Sequence, residues 1–179
     1  MARIPIYGLI AEFTQPDQLV EAAKRAYAEG YRRMDAYSPF PIEGLAEAIG
    51  FRRNLVPLVV LIGGLIGCSG GFFMQWFANV IHYPLNIGGR PHDSWPAFIP
   101  ITFELTILCA SLAGVFGMLA MNGLPRPYHA VFNVPRFALA STDRFFLSIE
   151  ARDRKFDLRA TKGFLEGLAG QTGVFEIED

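Results

Sequence analysis

Few side chains in this sequence could do chemistry, and the one in the oddest setting is Glu104. It stands within AFIPITFELTILCASLAGVFGMLAMNGL, residues 97–124, a run with no other Asp, Glu, Lys or Arg. Its place a few residues into that run is costly for a carboxylate if the run crosses a bilayer. Such a group acts either in a proton path or as the pairing partner of another protein. A plainer reading leaves Glu104 protonated or snorkelling, hydrogen-bonded to Thr102, Thr106 or nearby backbone. The other candidates are scattered. His82 and His92, with Asp93, lack the compact spacing of a metal site. No histidine lies in the middle of an apolar run, so the chain cannot supply paired axial ligands to a buried haem. Cys68 and Cys109 belong to no CxxC pair and read as small packing residues. P-loop, GxGxxG, HExxH and GxSxG signatures are all missing. The sequence therefore predicts no catalytic, cofactor-binding or metal-binding residue in this chain.

The elements that hold these residues follow from the distribution of charge. Between Arg53 and Arg90, and again between Glu104 and Arg126, there is no Asp, Glu, Lys or Arg. A hydrocarbon core about 30 Å thick needs about 20 apolar helical residues, and two runs supply them. Residues 55–81 and 97–124 are expected to be transmembrane helices forming a hairpin. With 18% charged residues the chain lies below the roughly 25% usual in soluble proteins. A net charge of −1 excludes a nucleic-acid binder driven by phosphate neutralisation. Gly63, Gly67 and Gly71 repeat every fourth residue, and Ala113 and Gly117 form a shorter small-residue pair. Such stripes let helices approach closely, here either within the hairpin or against another subunit. Arg52 and Arg53 precede the first run and Arg126 and Arg136 follow the second, while the loop between offers only Arg90. The positive-inside bias then sets both termini in the cytoplasm, with residues 82–96 facing outward. No apolar segment with a cleavage site opens the sequence.

Outside the hairpin, each end of the chain reads β-α-β. Residues 6–13 form a strand. Thr14 caps a helix whose apolar residues Leu19, Val20, Ala23, Ala26 and Tyr27 share a face, Gly30 ends it, and residues 31–37 form a second strand. Toward the other end, Phe145, Leu147, Ile149 and Ala151 alternate with Phe146, Ser148 and Glu150 as a half-buried strand. Asp157 caps a helix with Ala160, Phe164, Leu165 and Leu168 on one face. Gly170 and Gly173 end it, and residues 174–178 make the last strand. Neither half can cover a sheet alone, and joining them gives the ferredoxin-like βαββαβ pattern. The expected fold is thus an α+β membrane protein: a cytoplasmic domain from both chain ends, with the hairpin inserted between strands two and three. Its expected boundaries are 1–50, 51–126 and 127–179. The alternative is two unrelated flanks that each pack on partners. The segment DAYSPFPIEGL, residues 35–45, leaves the second strand toward the membrane. Pro39 and Pro41 stiffen it, and Tyr37 and Phe40 can rest on the domain, the headgroups or a partner.

YGLIAEF with its helix, GYRRMDAYSPFPIEGL, YPLNIGGRP…SWPAFIPITFE in the hairpin, and the late ATKGFLEGL together resemble the small two-span membrane subunit of bacterial alternative complex III. The resemblance covers nearly the whole chain. It implies a two-span component, in the bacterial inner membrane, of a quinol-oxidising complex that passes electrons to periplasmic acceptors, so that the outward loop, residues 82–96, is expected in the periplasm. It also implies that haems, iron–sulfur clusters and quinone belong to other subunits. No catalytic residue carries over. The implied function is structural, anchoring larger quinone-handling subunits. The competing readings are a membrane-tethered metabolite sensor regulating a transporter, and a proton conductor acting through Glu104.

Overall fold

The first strand buries both of its faces, and that fact organises the domain. In the computed structural model, which describes residues 6–51 and 54–178, β1 (Ile6–Phe13) carries Leu9, Ala11 and Phe13 on one side and Ile10 and Glu12 on the other. All five are buried. Arg52 and Arg53, which count toward the expected orientation, lie outside the described residues. α1 (Pro16–Glu29) follows β1. Its first turn opens on Pro16 with Gln15 at the N-cap and no side-chain cap bond. Thr14 therefore does not cap this helix; its hydroxyl donates to Gln18 Oε1 instead (3.4 Å). Gly30 ends α1 at φ 106°, a conformation that suits a residue without Cβ.

β2 (Met34–Tyr37) is shorter than expected, and the reason lies in Asp153. The Arg32 and Arg33 amides both donate to Asp153 Oδ2 (2.7 Å each), so their N–H groups are held by a side chain rather than a ladder. Tyr31 turns into the core instead, its hydroxyl 3.1 Å from Thr161 Oγ1. A short helix, α2 (Leu45–Ala48), closes the first half.

The apolar segment comes next in the chain. It contains α3 (Val56–Trp76), a π-helical turn at Phe77–His82, and α4 (Trp95–Met121). The two helical spans, Val56–His82 and Trp95–Met121, are each 27 residues long and apolar enough to cross a membrane.

The second half of the lobe begins with two 3₁₀ stretches, Ala130–Asn133 and Pro135–Ser141, and enters β3 (Phe145–Glu150). α5 (Leu158–Glu166) is capped by Asp157, whose carboxylate accepts from the Arg159 and Ala160 amides. Its buried face is Thr161 and Leu165, with Leu168 just beyond, while Ala160 is exposed. β4 (Gln171–Glu178) starts earlier than expected, so Gly173 lies inside the strand rather than ending the helix.

The strands form one sheet in the order β2-β3-β1-β4, with every neighbouring pair antiparallel. Leu9 faces Ile149 and Phe13 faces Phe145 across the central pair. One side of the sheet packs on α1 and α5 through Leu19, Ala23, Ala26 and Leu165. The opposite side is not exposed. Val131, Val134, Phe137 and Ala140 from the 3₁₀ stretches cover Ile10, Phe146 and Ile177. β3 is consequently buried on both faces, including Phe146 and Ser148, where alternation predicts a half-buried strand. The stretch after the hairpin is thus a covering layer as well as a link. Backbone contacts divide the chain into two units. One joins residues 1–53 to residues 127–179, and the other is Asn54–Arg126.

Candidate functional site

The small-residue stripe of α3 faces α4. Gly63, Gly67, Gly71 and Gln75 are the buried residues of α3, one every fourth position. A Cβ on Gly63 would overlap the Ala113 methyl and stand 2.8 Å from the Cys109 carbonyl oxygen. On Gly67 it would overlap the Leu105 carbonyl oxygen, and on Gly71 it would meet Leu105 Cδ1 at 3.0 Å. Gly117 receives Val59 in the same way, at 2.7 Å from Cγ1. The sequence leaves open whether the stripe serves the hairpin or another subunit. In the structure it serves the hairpin, where backbone approach replaces a hydrophobic drive that lipid cannot give.

Sequence reasoning misses Gln75, although this residue continues the 63-67-71 spacing. Its Nε2 donates to the Gly71 carbonyl (3.1 Å), the Phe98 carbonyl (3.0 Å) and Thr102 Oγ1 (3.2 Å). Buried at 8% exposure, this amide ties α3 to α4 near the start of α4. The signal is there in the spacing: a lone amide on the glycine stripe must find partners across the helix pair.

Glu104 lies deeper than expected and points elsewhere. α4 begins at Trp95, so Glu104 is nine residues along it, about 14 Å at 1.5 Å per residue and about 6 Å from the helix midpoint. It is exposed, on a side of α4 away from the stripe, and has no hydrogen-bond partner among the described residues. The two threonines expected to shelter it are engaged otherwise. Thr102 Oγ1 accepts from Gln75, and Thr106 Oγ1 donates to the Thr102 carbonyl (2.6 Å).

The proline-rich exit folds back on its own domain. The Tyr37 ring meets Phe137 edge-on at 4.9 Å, and Phe40 meets Phe145 edge-on at 5.5 Å. Ser38 Oγ donates to the Phe40 carbonyl (2.7 Å), setting the turn around the half-buried Pro39. Burial, with Asp35 beside it, raises the Tyr37 phenol pKa above its ordinary range. Phe40 keeps half of its surface exposed and Pro41 is exposed too, so this edge can meet something further.

The lobe also holds an ionic cluster that the sequence does not reveal. Glu12, fully buried in β1, accepts from Arg136 Nε (2.6 Å) and Nη2 (2.8 Å), and Arg144 Nε lies 3.7 Å from it. The Arg136 hydrogen bond holds the Glu12 carboxyl below the usual carboxylate range despite burial. At Asp153 burial pushes the other way, yet the amide donors of Arg33, Lys155 and Arg32 outweigh it and lower the pKa. Both carboxylates are spent on holding segments together.

These features define a membrane protein whose helix hairpin is joined to an α+β lobe assembled from both chain ends. A family model described as Alternative complex III, ActD subunit, matches residues 7–173, and the chain belongs to that family. A comparison with curated proteins finds no match. Membership makes the chain a component of alternative complex III, with other subunits of that assembly as partners, and does not favour the sensory reading.

Proposed function

We propose that this chain is a non-catalytic, cofactor-free structural subunit that anchors the larger quinone-handling subunits of a quinol-oxidising electron-transfer complex. Haems, iron–sulfur clusters and quinone reside in those partners. The observation that carries the reading is the family match over residues 7–173, which spans both halves of the lobe and the hairpin between them. The use of polar groups supports it. The buried Glu12, Asp153, Thr161 and Gln75 side chains hold strands, loops and helices to one another. Groups committed in this way are not free to converge on a substrate.

The lobe is a ferredoxin-like domain interrupted by the hairpin between its second and third strands. Support comes from the order β2-β3-β1-β4 and from the antiparallel pairing of each neighbour. It stands on the cytoplasmic side of the bacterial inner membrane with both termini, and residues 82–96 reach the periplasm. The arginines at positions 52, 53, 126 and 136, against Arg90 alone in the loop, support that orientation. Tyr37, Pro39, Phe40 and Pro41 form a stiff edge whose exposed part docks against the headgroups or a neighbouring subunit.

Affinity purification of the tagged chain after mild detergent extraction tests this reading. Multi-haem and iron–sulfur proteins are expected in the eluate, and the separated chain should carry no haem absorbance and no stoichiometric metal. Recovery of a lone, stable monomer from native membranes would overturn the subunit role. Haem or metal retained by the separated chain would overturn the cofactor-free role. Orientation is checked separately, by impermeant labelling of cysteines introduced at either terminus in intact cells; label there reverses it.

A further inference from the structure

Glu104 is the only Asp, Glu, Lys or Arg in either helical span. Steps of three, four, four and three residues carry the same flank of α4 from Glu104 through Ile107, Ser111 and Val115 to Met118, which is one face of a helix. Those four apolar or small residues line an open groove of about 570 Å³ whose inner side is Gly114 and the Val60 side chain of α3. One flank of the hairpin therefore combines an apolar channel, small residues that admit a close backbone, and an unpartnered carboxyl about one turn further along.

We propose that this flank seats a transmembrane helix of another subunit, and that the helix carries an Arg or Lys level with Glu104. The proposal rests on the subunit reading above and adds the face and its chemistry. Lipid is a poor occupant, because acyl chains offer the carboxyl neither charge nor hydrogen bond, about 6 Å from the helix midpoint. A second copy of this chain is a poor one as well. Its spans contain no Lys or Arg, so it has no cation to offer at that depth. A helix from a different subunit with a basic residue satisfies both the groove and the charge. Ser111 and Gly114 permit the short interaxial distance that such packing favours.

Two measurements on the assembled complex test this. In the first, a photo-reactive diazirine residue replaces Ser111 and the cross-linked peptide is sequenced. The expected product joins a helix of another subunit that has Arg or Lys within one turn of the level of Glu104. Adducts with lipid only, with a second copy, or with a helix lacking such a residue overturn the proposal. In the second, Glu104→Ala, which preserves helix propensity, is expected to lower retention of the chain through detergent washing at least tenfold. Retention equal to wild type overturns the proposal. The two failures are distinct: a chain that co-purifies normally but labels lipid from position 111 keeps its subunit role and loses this interface.

Discussion

Arg136 grips both carboxylate oxygens of Glu12 across a sequence separation of 124 residues. β1 and the layer that follows the hairpin are thus pinned to each other inside the lobe. Glu12 is fully buried, so losing its partner leaves a charge in a poor solvent, a change that costs about 3–5 kcal/mol in comparable pairs.

That pin predicts a pH dependence. The folded-state pKa of Glu12 lies below its unfolded value, and that of Asp153 is shifted the same way. The folded chain thus binds these protons less readily than the unfolded one. Their contribution is complete above the ordinary carboxylate pKa of about 4 and is lost as pH falls through the folded values. Melting of the detergent-solubilised protein, followed by circular dichroism, should show a midpoint that is flat near neutrality and falls below about pH 4. Glu12→Gln, which leaves the half-exposed Arg136 without its partner, should lower stability at pH 7 by about 1.5–3 kcal/mol and make the acid fall shallower. An unchanged slope in that variant would deny Glu12 its part.

The hairpin glycines give a graded series. A Cβ at Gly70 meets nothing within 4 Å, one at Gly64 meets Ala110 at 3.6 Å, and one at Gly67 overlaps the Leu105 carbonyl. Gly70→Ala should be neutral or slightly stabilising through helix propensity, and Gly64→Ala close to neutral. Gly67→Ala should cost about 1–3 kcal/mol, because the obstacle is backbone and cannot rotate away. Equal effects at the three positions, measured by denaturant titration in mixed micelles, would show that the stripe is not the contact.

Much of this arrangement is legible in the sequence, and the parts that are not share a cause. The spans, the Gly30 stop and the Asp157 cap announce themselves through local chemistry: long apolar runs, a left-handed turn and a carboxylate two residues before an amide. The sequence pattern overextends the second strand because Asp153, more than a hundred residues away, takes the amides of Arg32 and Arg33. Alternation makes Phe146 and Ser148 the wetter face because nothing nearby signals that residues 130–141 fold over them. Glu12 sits in an ordinary strand pattern, and only the folded chain brings Arg136 to it. Gln75 differs, since its place on the glycine stripe is readable from spacing alone.

The covering layer predicts a specific weakness. Phe137 is 7% exposed and touches Tyr37, Phe132 and Phe146 edge-on or tilted, at centroid distances of 4.9, 5.4 and 5.5 Å. Phe137→Ala should cost about 3–5 kcal/mol, the range for large aromatic truncations in a core. Hydrogen exchange should accelerate in residues 130–141 of the variant more than in α1, which packs on the opposite side of the sheet. Uniform acceleration would mean that the layer is not a separate face of the core.

Gln75 tests whether the hairpin is held by packing or by polar bonds. Its three acceptors lie in Gly71, Phe98 and Thr102, so Gln75→Leu removes the bridge to α4 while keeping comparable bulk. Hydrogen bonds between membrane helices average only about 0.6 kcal/mol and reach about 1.7, because the separated helices also find partners. The loss should therefore fall near 1 kcal/mol, below that expected for Gly67→Ala. A truncation to Gln75→Ala adds a cavity beside Phe98, which is 1% exposed, and should exceed the leucine variant by a further 1 kcal/mol or so. If leucine proves as costly as alanine in the same micelles, filled volume contributes nothing here and the amide bonds alone hold this end of the pair.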